Sequence, residues 1–322
     1  MFSTPILLIT FNRPDHVRQV LMEIRKQRPA QLFVFQDGAR EGNTLVHERV
    51  QQVRDVINEL VDWPCELHTL YQEKNLGCGP GPAAGISWFF SQVEMGIIFE
   101  DDAVPHPDFF EYAATLLEKY KDDESVRAIG SMNVDTQKWG DGSYYFSRMN
   151  RNLCAWATWR RAWKDFDLRM MKVSNSQLQH TLHKYHCDVL EREYWCDRLE
   201  EIHKDGCKGA SWDMQFLMSI WLRDGKGIIP NVNLSSNIGT VGEATHQMEA
   251  GNIIDNVPTF PILPLVHPTS CEIQYEADRQ FHYRYFEPVK QNWSRWLTMY
   301  NILNRRIKKL LGIKGPLRKR KL

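Results

Sequence analysis

Ile6-Leu7-Leu8-Ile9 and Leu32-Phe33-Val34-Phe35 are unbroken apolar runs, too short for helices and apolar enough to be buried on both faces, as strands of a parallel sheet are. Each precedes apolar residues at helical spacing: Val17, Val20, Leu21 and Ile24 after the first, and Val46, Val50, Val53, Ile57 and Leu60 after the second. Pro5–Thr10 and Gln31–Phe35 are therefore predicted as strands, with Asn12 capping a helix that opens at Pro14. A third strand is expected over Glu66–Tyr71. A Gly/Pro loop from Gly77 to Pro82, a helix through Ile86 to Val93 and a fourth strand at Ile97-Ile98-Phe99 follow. This alternation predicts an α/β fold, a mostly parallel, Rossmann-like sheet with helices on both faces.

Farther along, Asp108 and Glu111 have the spacing of a capping box for a helix over Phe109–Tyr120. Arg127–Met132 is predicted as a strand, Trp212–Leu222 as a helix and Gly227–Pro230 as a short strand. The aromatic stretch Leu153–Phe166, with Trp156, Trp159 and Trp163, reads as core or groove lining rather than cofactor contacts. Residues 174–206 are polar with helical character, which suits an exposed insertion. Beyond Asn237 the periodicity breaks among Pro258, Pro261, Pro264 and Pro268. The expected organisation is one domain over 1–250, made of two halves (1–135 and 136–250). An irregular region (251–290) and a basic amphipathic tail (291–322) complete it.

The 322 residues are 43% apolar, enough for a soluble protein with a sizeable core. Seven cysteines, odd in number and without a C-x-x-C pair, indicate neither a disulfide framework nor a zinc ribbon, and point to a reducing compartment. The first apolar run lacks a basic leader and reads as a core strand, so a cytoplasmic protein is expected. Zero net charge hides an asymmetry: Arg295–Leu322 holds 10 Lys or Arg and no acid, leaving 30 basic and 40 acidic residues in 1–294. Apolar and basic residues alternate in that tail, as in a helix lying on an anionic membrane surface at the inner face, or one docked on the protein itself. An acidic body repels phosphate, which argues against nucleic acid as a partner.

The fourth strand runs into three acids, Glu100-Asp101-Asp102. Negative charge at the end of a buried strand is costly unless a cation or a donor-rich ligand takes it up. The C-terminal end of a strand is also where open α/β sheets bind ligands. Carboxylates fixed there can hold Mg²⁺ or Mn²⁺ and leave positions for water and phosphate oxygens; the plainer alternative is a solvated acidic turn. Asp37 ends the second strand, either as an acceptor for a base or ribose or as an ordinary Asp-Gly turn. Arg13 suits a phosphate clamp or merely solvates a helix start. Asp213 is a general base or a helix cap, and His246 a metal or phosphate ligand or an ordinary surface histidine. The Gly/Pro loop is no P-loop, and no nucleophile elbow or G-x-G-x-x-G turn occurs.

With these residues in view, the chain resembles GT-A-fold glycosyltransferases. Pro5–Pro14, Phe35-Gln36-Asp37-Gly38 and Glu100–Tyr112 look like the nucleotide-binding half of the N-acetylglucosaminyltransferase I type. Ser211-Trp212-Asp213, Asn231–Gly239 and Ala244-Thr245-His246 look more like bacterial family-2-type sugar transferases. The resemblance spans about residues 4–250 and is most specific from Glu100 to Tyr112. It implies a UDP-sugar donor with Mn²⁺ or Mg²⁺ on Asp102, ribose and donor sugar on Asp101 and Glu100, uracil or ribose on Asp37, and diphosphate near Arg13. It places Asp213 at the family's catalytic acid. The eukaryotic enzymes carry a second acid after the Trp, where this chain has Met214, which leaves Glu243 as the backup base. The implied activity is inverting, metal-dependent transfer of an N-acetylhexosamine or hexose to a hydroxyl of a glycan or lipid-linked saccharide, in bacterial surface polysaccharide assembly. An inactive nucleotide-sugar-binding domain tethered at the membrane is the rival. A sugar-nucleotide pyrophosphorylase is a poorer one, because Thr10–Pro14 replaces that class's Gly-rich, Arg-bearing loop.

Overall fold

A computed structural model describes residues 1–135, 137–149, 155–171, 173–186, 188–205, 212–239, 255–286 and 295–312. The chain opens β1 (Ile6–Thr10), α1 (Pro14–Gln27), β2 (Gln31–Gln36), α2 (Thr44–Leu60), β3 (Glu66–Tyr71), α3 (Pro80–Gln92) and β4 (Met95–Glu100). It continues β5 (Ala103–Pro105), α4 (Asp108–Lys119), β6 (Val126–Gly130), β7 (Tyr144–Ser147), β8 (Ala155–Trp159) and α5 (Arg160–Trp163). Then come α6 (Asn175–Tyr185), α7 (Val189–Asp205), α8 (Asp213–Leu222), β9 (Lys226–Pro230), β10 (Ser235–Asn237), α9 (Tyr275–Phe281) with a π-helical turn (His282–Phe286), and α10 (Arg295–Leu310).

Eight strands form one sheet in the order β3-β2-β1-β4-β8-β6-β9-β7. The pairs β3-β2, β2-β1, β1-β4 and β6-β9 are parallel, whereas β8 runs antiparallel to both β4 and β6, and β7 to β9. This is the α/β, mostly parallel sheet expected from the sequence. Alternation along β1 explains its two covered faces. Ile6 and Leu8 pack with Val17, Val20, Ile24, Val53 and Ile57 on one side, while Leu7 and Ile9 pack with Ile86, Phe89 and Phe216 on the other. Trp156 and Trp163 belong to the second core, so the aromatic stretch is core, as its composition suggested.

Four expectations need correction. Asn12 does not cap α1; its N-cap is Arg13, which makes no side-chain capping bond. Asp108 forms no capping box, because its carboxylate instead accepts the backbone N–H groups of Ile262 and Leu263 at 2.9 and 3.2 Å. Residues 174–205 are not an exposed insertion: Leu178, Leu182, Trp195 and Leu199 pack with Trp221 of α8 in a third core. Within 251–290, Tyr275–Phe281 is helical because Ala277, Asp278 and Phe281 are buried. No described helix is long and apolar enough to cross a membrane.

Candidate active site

Strand order reverses beside β1. The chain builds outward from β1 through β2 to β3, then returns to place β4 on the other side of β1. Such a switch point leaves a crevice at the carboxyl ends of the two central strands, where open α/β sheets bind ligands. Arg13 follows β1, and Glu100-Asp101-Asp102 ends β4, with Glu100 opposite Ile9 in the parallel register. The topology thus brings the predicted guanidinium and acids together.

The contacts among them are specific. Arg13 donates from Nη2 to Asp101 Oδ1, from Nε to Asp101 Oδ2 at 3.2 Å, and from Nη2 to Asp102 Oδ2 at 3.1 Å. Burial pulls the Arg13 pKa down and the charges of Asp101 and Asp102 push it up, with a net rise that keeps the guanidinium charged. Burial raises the Asp101 carboxyl, Arg13 lowers it, and the result is a raised value. Glu100 is lifted well above the ordinary carboxylate range by burial first, then by the charges of Asp102, Asp101 and Asp213.

Asp213 is the first residue of α8, behind Trp212, which stacks on Trp156 of β8 with ring centroids 5.3 Å apart. The cap position belongs to Trp212 and carries no side-chain bond, so the Asp213 carboxylate is not consumed in capping. Its Oδ1 is buried without a hydrogen-bond partner. The charge of Asp213 acts on Glu100 across 113 positions of sequence, so the fold brings the start of α8 near the acids that end β4.

A strap closes over the acids. β10 pairs antiparallel with β5, Asn237 opposite Ala103, and carries the chain onward so that Ile238 N donates to Asp102 O at 3.0 Å. A ring nitrogen of His16 lies 3.1 Å from Ile238 O, which ties α1 to the same strap. Gly239 packs so tightly that a Cβ there would overlap Asp102 Oδ2 and come within 3.0 Å of Arg13 Nη1. Sequence reasoning assigned no role to His16 or Gly239. The Asn231–Gly239 segment was the available signal for Gly239, and His16 carried none.

Asp37 is hydrogen-bonded to the loop that follows β3 and to Gly38. Its Oδ1 accepts the N–H groups of Gly38 and Leu76 at 2.9 and 2.8 Å, and its Oδ2 accepts Asn75 Nδ2 and Gly77 N at 3.1 and 3.0 Å. These four bonds fill the lone-pair sites of a carboxylate. Asp37 therefore staples the loop before α3 to the end of β2, with burial raising its pKa against those donors. Gly38 is required by the same approach, since a Cβ would lie 2.6 Å from Lys74 N. Glu243 and His246 lie outside the described residues.

Among the described residues, no three His, Cys, Asp or Glu side chains converge as a ready metal cage. The donor set nonetheless suits a hard divalent ion held by one or two carboxylates, with phosphate and water completing its shell. Asp102 is the expected ligand. Burial and the neighbouring acids favour the protonated form of Glu100, and a cation bound there would favour its ionised form; Asp213 Oδ1 has no partner among the described residues.

No family model matches the chain, and no curated protein matches it. Among solved structures it is similar to residues 1–349 of S. aureus TarS, at 15% identity over 52% of this chain and 50% of that one, with a TM-score of 0.35. The chain thus spans about half of that structure. It is also similar to apo-UDP-glucose pyrophosphorylase, at 9% identity over 72% of this chain and 93% of that one, TM-score 0.37. A third similar structure is 4-diphosphocytidyl-2C-methyl-D-erythritol synthase from Anaerococcus prevotii, at 10% identity over 51% and 75% of the two chains, TM-score 0.33.

Proposed function

We propose that the chain is an inverting, metal-dependent glycosyltransferase that moves a sugar from UDP to a hydroxyl of a glycan or lipid-linked saccharide. The observation that carries this reading is the row Glu100-Asp101-Asp102 at the switch point, paired with Arg13 and with Asp213 near enough to act on Glu100. Mn²⁺ or Mg²⁺ held by Asp102 would supply charge neutralisation for a leaving diphosphate. Asp101 keeps Arg13 in place, and Arg13, on yielding its contact with Asp102, is positioned to turn toward phosphate oxygens. Glu100 is left to face the donor sugar, since no described group hydrogen-bonds its carboxylate.

Asp213 takes the role of general base. Its unpartnered Oδ1 accepts the acceptor hydroxyl's proton as that oxygen bonds to the anomeric carbon and the bond to UDP breaks, so configuration inverts. The stacked Trp212 and Trp156 hold the start of α8, and with it the carboxylate, against β8. Glu243 is the alternative base, and His246 a further candidate for the metal.

The test is UDP release from a panel of UDP-sugars, with and without Mn²⁺. Metal-dependent turnover is expected, reduced about 100-fold or more in Asp102→Asn. Full metal-dependent turnover by Asp102→Asn would overturn the assignment. UDP binding without consumption of any donor would favour the inactive binding-domain reading.

A further inference from the structure

We infer that α10 is a membrane-surface helix whose apolar stripe enters an anionic bilayer, an inference independent of the reaction proposed above. Trp296, Tyr300, Leu303, Ile307 and Leu310 recur at spacings of four and three, so they form one stripe along the helix. The stripe is uncovered: these side chains are 77%, 51%, 59%, 43% and 86% exposed. A contiguous apolar face of this kind on a soluble protein marks a partner.

The opposite side of the helix is already occupied. At about 100° per residue, Arg305 lies on the far side from Trp296. Arg305 pairs with Asp197 at 2.7 Å, and the neighbouring Arg306 pairs with Glu193 at 3.3 Å, both acids on α7. These two ion pairs hold the polar side of α10 on the body and turn the stripe outward.

Charge selects the partner. The segment 295–322 carries 10 basic and no acidic residues, against 30 basic and 40 acidic in 1–294. An anionic lipid surface attracts the tail and repels the body, so the molecule would lie with α10 down. Pairing two copies stripe to stripe would instead bring two strongly basic segments together, which like-charge repulsion opposes. Trp296 and Tyr300, stacked with centroids 6.0 Å apart, are side chains suited to the headgroup level. As no described helix can span a bilayer, the helix lies on it.

The test is cosedimentation of the full chain with phosphatidylcholine vesicles and with vesicles that also contain phosphatidylglycerol. Binding is expected only to the second kind, weakening as salt rises. Leu303→Glu with Ile307→Glu should lower the partition at least about tenfold while leaving the melting temperature unchanged, because both side chains are exposed. Lys308→Glu should weaken binding without touching the stripe. Equal vesicle binding by wild type and Leu303→Glu/Ile307→Glu would overturn the inference. So would a wild-type dimer that the same pair of changes splits with no vesicle binding in either protein.

Discussion

The guanidinium of Arg13 reaches from the turn after β1 to within 3.1 Å of Asp102 Oδ2, while also holding both oxygens of Asp101. It stands where positive charge is most needed, and Arg13→Ala would leave the clustered carboxylates facing one another. Removing the cation from this half-buried pair leaves the buried Asp101 carboxylate unpaired, so a clear fall in melting temperature is expected. If the acids also form a cation site, Mn²⁺ alone should raise the melting temperature of Arg13→Ala more than that of wild type. An equal or smaller rise would count against a cation on Asp102.

Gly239 makes the strap over the acids possible. In Gly239→Ala the new methyl group must displace Asp102 or the strap itself, since it would lie 2.9 Å from Asp102 Cγ. Donor turnover should fall about tenfold or more, as displacements near 1 Å commonly do, with the far-ultraviolet circular dichroism spectrum unchanged. Undiminished turnover would mean that Asp102 works in a position other than the one the strap enforces.

Asp37→Asn separates a loop staple from a ligand contact. An amide replaces one carboxylate oxygen and points a donor at the N–H groups of the 75–77 loop. A stability loss of about 1–3 kcal/mol is expected, together with a raised KM for donor and a smaller change in kcat. A variant that melts like wild type yet no longer binds UDP would show that the carboxylate faces the ligand instead.

His186 gives the protein an acid-sensitive joint away from the candidate active site. It is fully buried between Trp195 and Trp221, its Nδ1 lies 3.1 Å from Glu191 Oε2, and Arg148 Nη2 reaches the same oxygen at 2.8 Å. Asp278 on α9 and His282 in the π-helical turn complete the charged surroundings. Burial lowers the His186 pKa to about 4, against about 6.5 in the unfolded chain. Between those values the unfolded chain binds the extra proton, so stability falls as pH drops from about 6.5 to about 4, by on the order of 3 kcal/mol. Urea titrations across that window should show the slope in wild type and a flatter one in His186→Gln; an unchanged slope would place the acid sensitivity elsewhere.

The parallel half of the sheet was legible because β1, β2 and β4 are buried on both faces, its helices on one, and β3 at the edge is bounded by loops. Glu66–Tyr71 is predicted and found with the same bounds, and β1 and β2 shift by a single residue. Residues 174–205 misled because His186 and Glu191 are buried with Arg148, which puts polar residues where a core pattern needs apolar ones. The acids could be located from the run before them and Asp213 from the helix after it. What Arg13, Gly239 and Asp37 touch could not be read, since each contact joins segments that only the folded sheet brings together. β7 and β10, four and three residues long, were too short to carry a period.

β8 is the strand through which β4 joins the β6-β9-β7 part of the sheet. During synthesis, Met95–Glu100 emerges more than 50 residues ahead of Ala155–Trp159, so its outer edge waits unpaired. An apolar edge left open invites pairing with another nascent chain. Three acids stand at the tip of that edge, and like charges placed there oppose end-to-end stacking of copies.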